Sequence, residues 1–343
     1  MANQPNEGKN MVAISKPPNE NLSKRTIVLV LLVLLLLFPV LSRDYYILTV
    51  LIFANIYAVF GASWDILAGV TGIFSFGQAL FFGAAAYMSA ALNLFLGLPP
   101  LLTIPLGGVF GVAVGLAVAL PSLRLKGPYF AITSLIFPGI LAGIIYMYPE
   151  ITGGEAGIYG LAPISNNIVI TYYASLLLML ASIFILLRIA NSSIGLIFRS
   201  IRDDEDTAEA AGINTTKYKF ISFAISGFFA GIAGGFQAHL LMSISPFVFN
   251  TFYSFQAILG ASLGGVGTIF GSAFGAYLLS FLNESLRGLA QFRVLILAIV
   301  MILVFRYLPE GIIRRITKHY NIRLGIWSEL KKLRRKSQDG TNS

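Results

Sequence analysis

The sequence predicts an all-α protein: a polytopic transmembrane helix bundle of about ten membrane segments, some of them broken or half helices, with both termini in the cytoplasm. Of the 343 residues, 56% are hydrophobic and 11% are charged, whereas a soluble domain carries about 25% charged residues. Apolar runs close to the roughly 20 residues that span a hydrocarbon core recur along the chain. Most of the protein surface is therefore expected to face lipid.

Charge asymmetry sets the predicted direction of each segment. The pair Arg124 and Lys126 and the long loop 189–217 are expected inside, because cytoplasmic loops retain Lys and Arg. Loop 149–167 contains two glutamates and no Lys or Arg, as an external loop should. The resulting segments are 26–42, 45–67, 73–96, 101–121, 128–148, 168–188, 218–243, 252–263, 268–283 and 292–308.

The stretch 252–283 is predicted to be two short segments rather than one. As a single helix its 32 residues would extend about 48 Å at ~1.5 Å per residue, which exceeds a hydrocarbon core of ~30 Å. The run Gly264-Gly265-Val266-Gly267 lies near its middle, where a helix can be interrupted. An even number of passes here also returns the C-terminus to the cytoplasm.

The chain is predicted to have three parts. Residues 1–25 are a disordered cytoplasmic tail, residues 26–308 the transmembrane domain, and residues 309–343 a basic cytoplasmic tail. From Arg306 onward, ten basic residues stand against three acidic ones, which supplies most of the net charge of +9. The positive-inside rule explains this basic tail beside the membrane lipid, so no nucleic-acid partner is expected.

Glycines recur at four-residue spacing in three places. Such spacing lets membrane helices approach closely, since small residues bring the backbones into van der Waals contact. Tight helix packing is the favoured interpretation, and flexibility for alternating access is the alternative. The three sets are Gly107, Gly111 and Gly115, then Gly227, Gly231 and Gly235, then Gly267, Gly271 and Gly275.

Several kinds of chemistry are disfavoured by composition. The chain has no cysteine and two histidines, so we expect no metal site and no cofactor. It has no GxxxxGK[ST] motif, so it is not expected to bind ATP itself. No span has a clear ionisable residue near its middle, which argues against the alternative of an ion-coupled secondary transporter. Paired acids and serine–histidine sets are also missing from the spans, which argues against an enzyme.

The loop after the sixth segment predicts a short helix over residues 203–212. Ser200 followed by Asp203 is a capping-box-like start. Acidic residues at 203–206 would lie in the first turns, where the helix dipole favours negative charge, and Gly212 suits a C-terminal cap. On its own chemistry, such a helix is either a surface loop or a docking element for a partner.

Polar side chains at membrane depth are costly and are therefore candidates for function. If the bundle carries a solute, the candidates for lining its pathway are Ser75, Gln78, Gln237 and His239. For Gln78 the alternative is an interhelical hydrogen bond. Asp65 lies near the inner end of a span, where a cap or an interfacial position is favoured over a substrate contact.

The run Ala208-Glu209-Ala210-Ala211-Gly212-Ile213, followed by a polar turn and a new membrane helix, resembles the cytoplasmic EAA-type loop of ABC importer permeases. Gly212 follows Ala211 directly, which resembles the LivM-type branched-chain amino acid permeases. Other stretches resemble the same family in the same order, over about residues 50–315. They are 69–84, 124–132, 152–158, 263–268 and 308–312.

This resemblance implies an importer permease in the bacterial plasma (inner) membrane that carries branched-chain or related amino acids. The ATPase-coupling residues it implies are Asp203, Asp206, Glu209, Ala210, Ala211 and Gly212. The implied partners are a second related permease subunit, two ATP-binding-cassette ATPase subunits that bind the ATP, and an extracytoplasmic solute-binding protein. Urea or a short amide is the alternative substrate.

Overall fold

The protein is described by a computed structural model over residues 33–122, 128–289, 292–307 and 311–312. The predicted N-terminal tail and nearly all of the predicted C-terminal tail lie outside these residues. Residues 33–41 form helix α1 in the unit that precedes Arg43.

The second unit, from Arg43 onward, is built of helices joined by short connections. Its helices are α2 Tyr45–Asp65, α3 Gln78–Leu96, α4 Pro100–Ser122, α5 Pro128–Ser134, α6 Ile136–Met147, α7 Pro149–Thr152, α8 Ile168–Ala190, α9 Ser193–Asp203, α10 Glu205–Ala210, α11 Thr215–Leu241, α12 Thr251–Gly264, α13 Ile269–Ser285 and α14 Phe292–Tyr307.

Six helical stretches within the described residues are long and apolar enough to cross a membrane. They are Tyr45–Val70, Gln78–Leu96, Pro100–Leu120, Tyr129–Met147, Ile168–Ala190 and Thr215–Leu241. Helices α12 and α13 pass the same test only as a pair. The all-helical, polytopic membrane fold is confirmed, while ten segments and the orientation of the termini stay predictions.

The predicted interruption of 252–283 is confirmed. Helices α12 and α13 are bent by 114° at a short break between Gly264 and Ile269. The two helices pack on each other through their glycines, because a Cβ on Gly264 would overlap the Gly271 carbonyl oxygen and one on Gly275 would overlap the Gly260 carbonyl oxygen. The chain therefore turns back on itself at the break.

Helices α4 and α11 approach each other through two of the predicted glycine sets. A Cβ on Gly111 would overlap the Gly227 carbonyl oxygen, and a Cβ on Gly227 would overlap the Gly111 carbonyl oxygen. A Cβ on Gly115 would lie 2.6 Å from the Phe223 carbonyl oxygen. The backbones are in direct contact, as the favoured interpretation of these sets requires.

The start of the predicted segment 73–96 was wrong, because α3 begins only at Gln78. Helix α2 ends in a π-helical turn, Ile66–Val70, and residues 71–77 are not helical. Side chains bond the irregular backbone: the Trp64 indole N–H donates to the Ser75 carbonyl (2.7 Å), and the Phe76 amide donates to the Ser134 hydroxyl (2.8 Å). Non-helical backbone is tolerated at membrane depth when protein groups satisfy it in this way.

A two-stranded β-ladder is the one sheet within the described residues. Strand β1 (Ile158–Tyr159) pairs antiparallel with β2 (Ser243–Ile244), which follows α11. A Cβ on Gly157 would overlap the Ile244 carbonyl oxygen. The loop 149–167 is thus fastened to the connection between α11 and α12.

The α4–α11 contact predicts that Gly111→Ala is destabilising. The added methyl group would overlap backbone, and such overpacking typically costs about 1–3 kcal/mol. Gly139→Ala is the matched control, because a Cβ there meets no described atom within 4 Å. We expect a lower melting temperature in detergent for Gly111→Ala only. Equal melting temperatures for the two variants would contradict the packing described here.

Candidate functional site

The loop 189–217 forms two helices instead of the single helix predicted over 203–212. Helix α9 continues through Ser200 to Asp203, and the chain then adopts an extended conformation at Asp204. Asp204 caps α10 by accepting hydrogen bonds from the Asp206 and Thr207 amides. The Thr207 hydroxyl also donates to it (2.7 Å), which with the amide bonds holds the pKa of Asp204 below its usual range. The helix start is therefore set by Asp204 rather than by Ser200 and Asp203.

The six predicted coupling residues, Asp203, Asp206, Glu209, Ala210, Ala211 and Gly212, are all exposed on the isolated chain. Gly212 has a φ of +84°, so the left-handed conformation predicted at the end of this helix is confirmed. Ala208, within α10, is the buried residue of this helix. The loop therefore presents small side chains and carboxylates outward.

Two contacts fasten α10 to the start of the next membrane helix. The Thr215 hydroxyl donates to the Glu209 carboxylate (2.5 Å), and Lys219 pairs with Glu205 (2.5 Å). Glu209 thus already has one partner within the chain, which the sequence did not indicate. Glu209 and Glu205 therefore hold α10 against the start of α11.

Gln78 lies at the buried start of α3 and makes the interhelical bonds that were its alternative interpretation. Its Nε2 donates to the hydroxyls of Ser63 in α2 (2.9 Å) and Ser226 in α11 (3.1 Å). Its Oε1 has no partner among the described residues. Ser75, also buried, accepts from the Gly77 amide (3.1 Å) and shapes the non-helical segment before α3.

His239 is fully buried, and both of its ring nitrogens lie within hydrogen-bond distance of other groups of the chain. Its Nε2 lies 2.8 Å from the Thr103 hydroxyl and 3.1 Å from the Ser89 hydroxyl, and its Nδ1 lies 2.8 Å from the Ala162 carbonyl oxygen. Both ring nitrogens are thus engaged with groups from α3, α4 and the loop 149–167. The ring joins these elements to α11.

Gln237, one helical half-turn from His239, lines a cavity of about 110 Å³. Its Nε2 donates to the Tyr253 hydroxyl (3.3 Å), and its buried Oε1 has no partner within the described part of the chain. The β1–β2 ladder forms another wall of the cavity through Tyr159 and Ser243. Tyr253 was missed by the sequence reasoning, because nothing in its neighbourhood marks it as facing a cavity.

Asp65 makes no cap hydrogen bond at the end of α2, and it bonds the α12–α13 connection instead. It is fully buried at the end of α2, and its Oδ1 accepts a hydrogen bond from the Gly267 amide (2.6 Å) in the α12–α13 connection. The sequence indicated a local cap, whereas the bonded amide is two hundred residues away along the chain.

Comparison with known proteins decides the family. The family described as "Branched-chain amino acid transport system / permease component" matches residues 46–305. The chain belongs to this family. The permease is therefore a transport subunit and not an enzyme, and its apolar helices make it a multi-pass protein of the bacterial plasma membrane.

Similar proteins include permeases named for different solutes. The permease is 29% identical over 287 residues to the high-affinity branched-chain amino acid transport system permease protein LivM of Salmonella typhimurium, and 28% identical over 287 residues to that of Escherichia coli; each match covers 75% of this chain and 68% of the relative. It is 30% identical over 217 residues to the ribose import permease protein RbsC of Haemophilus influenzae, covering 59% of this chain and 64% of that relative. No solved structure matches it.

The bonding of His239 predicts that His239→Phe destabilises the permease. The substitution leaves the Ala162 carbonyl and two hydroxyls without their partner, and an unsatisfied buried polar group costs about 1–3 kcal/mol. We expect a lower melting temperature, partly restored by His239→Gln, whose amide can still form hydrogen bonds. Unchanged stability together with lost uptake would instead assign His239 to the pathway.

Proposed function

We propose that this protein is the membrane-spanning permease subunit of an ATP-binding-cassette importer for branched-chain or related amino acids. The observation that carries the proposal is the exposed, acid-capped helix α10, displayed by a chain of the branched-chain amino acid permease family. In this role α10 docks in a groove of an ATPase subunit. ATP hydrolysis there drives the movement of solute through the permease.

The proposed assembly has two permease subunits, this one and a second related chain. Two ATPase subunits bind ATP on the cytoplasmic side, and a solute-binding protein delivers the amino acid outside. The membrane-facing helices are surrounded by lipid, which suits the many exposed apolar side chains of α4, α6 and α8. The named functions of the LivM relatives support the amino acid as solute.

The orientation we propose places loop 189–217 and the C-terminus together in the cytoplasm, with ten segments in all. A Cβ on Gly311, after α14, would overlap the Gly265 backbone, and one on Gly267 would lie 3.5 Å from Arg202 Nη1. Residue 311 and the end of α9 thus lie at the same end of the membrane domain. This proximity supports a common side for the loop and the C-terminal tail.

The cavity at Gln237 is the proposed outer end of the pathway. Helix α11 runs from the docking loop at Thr215 to this cavity near Leu241, so the two lie at opposite ends of the helix. The unpartnered Oε1 of Gln237 can accept a hydrogen bond from the ammonium group of an arriving amino acid. Gln78 and Ser75 are the proposed pathway residues further along, at the start of α3.

A ribose-type solute is the second candidate, favoured by the similarity to RbsC.

The experiment that tests the proposal is uptake into proteoliposomes that contain the complete complex, with radiolabelled leucine, ribose or urea and the solute-binding protein outside. We expect leucine uptake that requires internal ATP and persists when ionophores collapse ion gradients. Uptake that follows an ion gradient without ATP would overturn the importer assignment.

Charge reversal tests the docking role of α10. Glu209→Lys is expected to reduce co-purification with the ATPase subunits and ATP-driven uptake, because a lost charged contact at an interface typically costs about 2–5 kcal/mol. Glu155→Lys is the control, since it makes the same charge reversal on an exposed residue of loop 149–167. Normal ATPase association and uptake in Glu209→Lys would show that α10 is only a surface loop.

Gln237→Leu tests the outer cavity. It removes the free acceptor and one long hydrogen bond, so we expect reduced uptake with little loss of melting temperature. His239→Phe, two residues away on the same helix, should instead lower the melting temperature more than Gln237→Leu does. Full uptake by a normally expressed Gln237→Leu complex would remove this cavity from the pathway.

A further inference from the structure

Arg202, the penultimate residue of α9, contacts the interrupted end of α2. Its Nη1 donates to the Gly69 carbonyl oxygen in the π-helical turn (2.9 Å). Its Nη2 and Nε lie 3.1 and 3.3 Å from the Asp203 carboxylate. The guanidinium thus joins the backbone of a membrane segment to one of the proposed docking residues.

The connection between α12 and α13 meets the same point. Gly267 donates its amide to Asp65 at 2.6 Å, and a Cβ on Gly267 would lie 3.2 Å from the Gly69 carbonyl oxygen. The Arg202 side chain also packs closely on the backbone after the π-helical turn, since a Cβ on Gly72 would lie 2.6 Å from Arg202 Cγ. We call the four residues Arg202, Gly69, Asp65 and Gly267 the inner junction.

At the inner junction, the interrupted end of α2 and the α12–α13 connection both lie next to the Arg202 side chain. Discontinuous helices free backbone groups that must be bonded by the protein, and they are where membrane transporters commonly bind solute and change access. Arg202 bonds one freed carbonyl directly, at Gly69. The adjacent Asp65–Gly267 bond then ties the α12–α13 connection to the same turn.

We propose that Arg202 is a positioning residue that passes movement of the docking loop to the α12–α13 connection. The inference rests on the proposed function, because it needs an ATPase that moves α10. The single extended residue Asp204 joins α9 to α10, so displacement of α10 displaces Arg202. Release of the Gly69 carbonyl by Arg202 then loosens the junction and frees the α12–α13 connection to change position.

Arg202→Gln in the complete complex tests this step. We expect normal ATPase association and normal ATP hydrolysis, with solute transported per ATP reduced by roughly tenfold, within the range of ordinary coupling energies. Arg199→Gln is the matched control. It removes a guanidinium–carbonyl bond from the same helix, but that bond goes to Ala190 at the end of α8 (3.0 Å).

A thiol label gives a readout that a merely structural role would not move. The chain has no cysteine, so Val266→Cys introduces a single thiol in the α12–α13 connection. We expect its rate of maleimide labelling to differ between the ATP-free and the vanadate-trapped complex. That difference should be lost with Arg202→Gln and kept with Arg199→Gln.

Each other outcome overturns the proposal in a distinguishable way. If Arg202→Gln keeps both the transport ratio and the labelling difference, Arg202 is not the link. If both arginine variants lose them alike, the effect belongs to the stability or charge of α9. If a transporting complex shows no labelling difference at Val266→Cys, the α12–α13 connection does not move. The role proposed for Arg202 then fails, while the proposed function stands. If the unmutated complex shows no ATP-driven uptake, the proposed function itself fails.

Discussion

The structure depends on one constraint: backbone groups within a membrane domain must find hydrogen-bond partners inside the protein. Long helices meet it without help, but the chain leaves α-helical geometry at 66–77 and again at 265–268. At both places side chains outside the interrupted stretch supply partners. Trp64 and Ser134 bond the first interruption, and Asp65 bonds the second. Trp64, Ser134 and Asp65 thus supply partners that the helices themselves do not.

Glycine has two opposite effects in this fold. Between α4 and α11 it brings two uninterrupted helices into backbone contact, and separation there would lose a large van der Waals contact. In the α12–α13 connection, Gly265 and Gly267 adopt positive φ and allow the chain to turn back. The first use favours a rigid pair of helices, and the second creates a turn whose position depends on a few hydrogen bonds. A transporter that moves one part against another requires both.

The sequence located the six long membrane helices, because lipid imposes a simple rule on length and hydropathy, while the count of ten segments stays a prediction. It also located the break near Gly264, since a helix of that length would not fit the membrane. It failed at residues 73–77, which are apolar enough to be helical but are held open by side chains from other elements. The inner junction and the bonding of His239 were equally out of reach, because each depends on partners more than seventy residues away. Local capping by Asp204 was missed for a different reason: Ser200 offered a competing start one turn earlier.

In the proposed mechanism, the interrupted segments are the parts that move when ATP acts on the docking loop. Amide hydrogen exchange of the assembled complex, compared between the ATP-free and the vanadate-trapped state, tests it most directly. We expect altered exchange at 69–77 and 264–268, with the α4–α11 contact at Gly111 and Gly227 equally protected in both states. Altered exchange along α4 and α11, with the two interrupted segments unchanged, would contradict it.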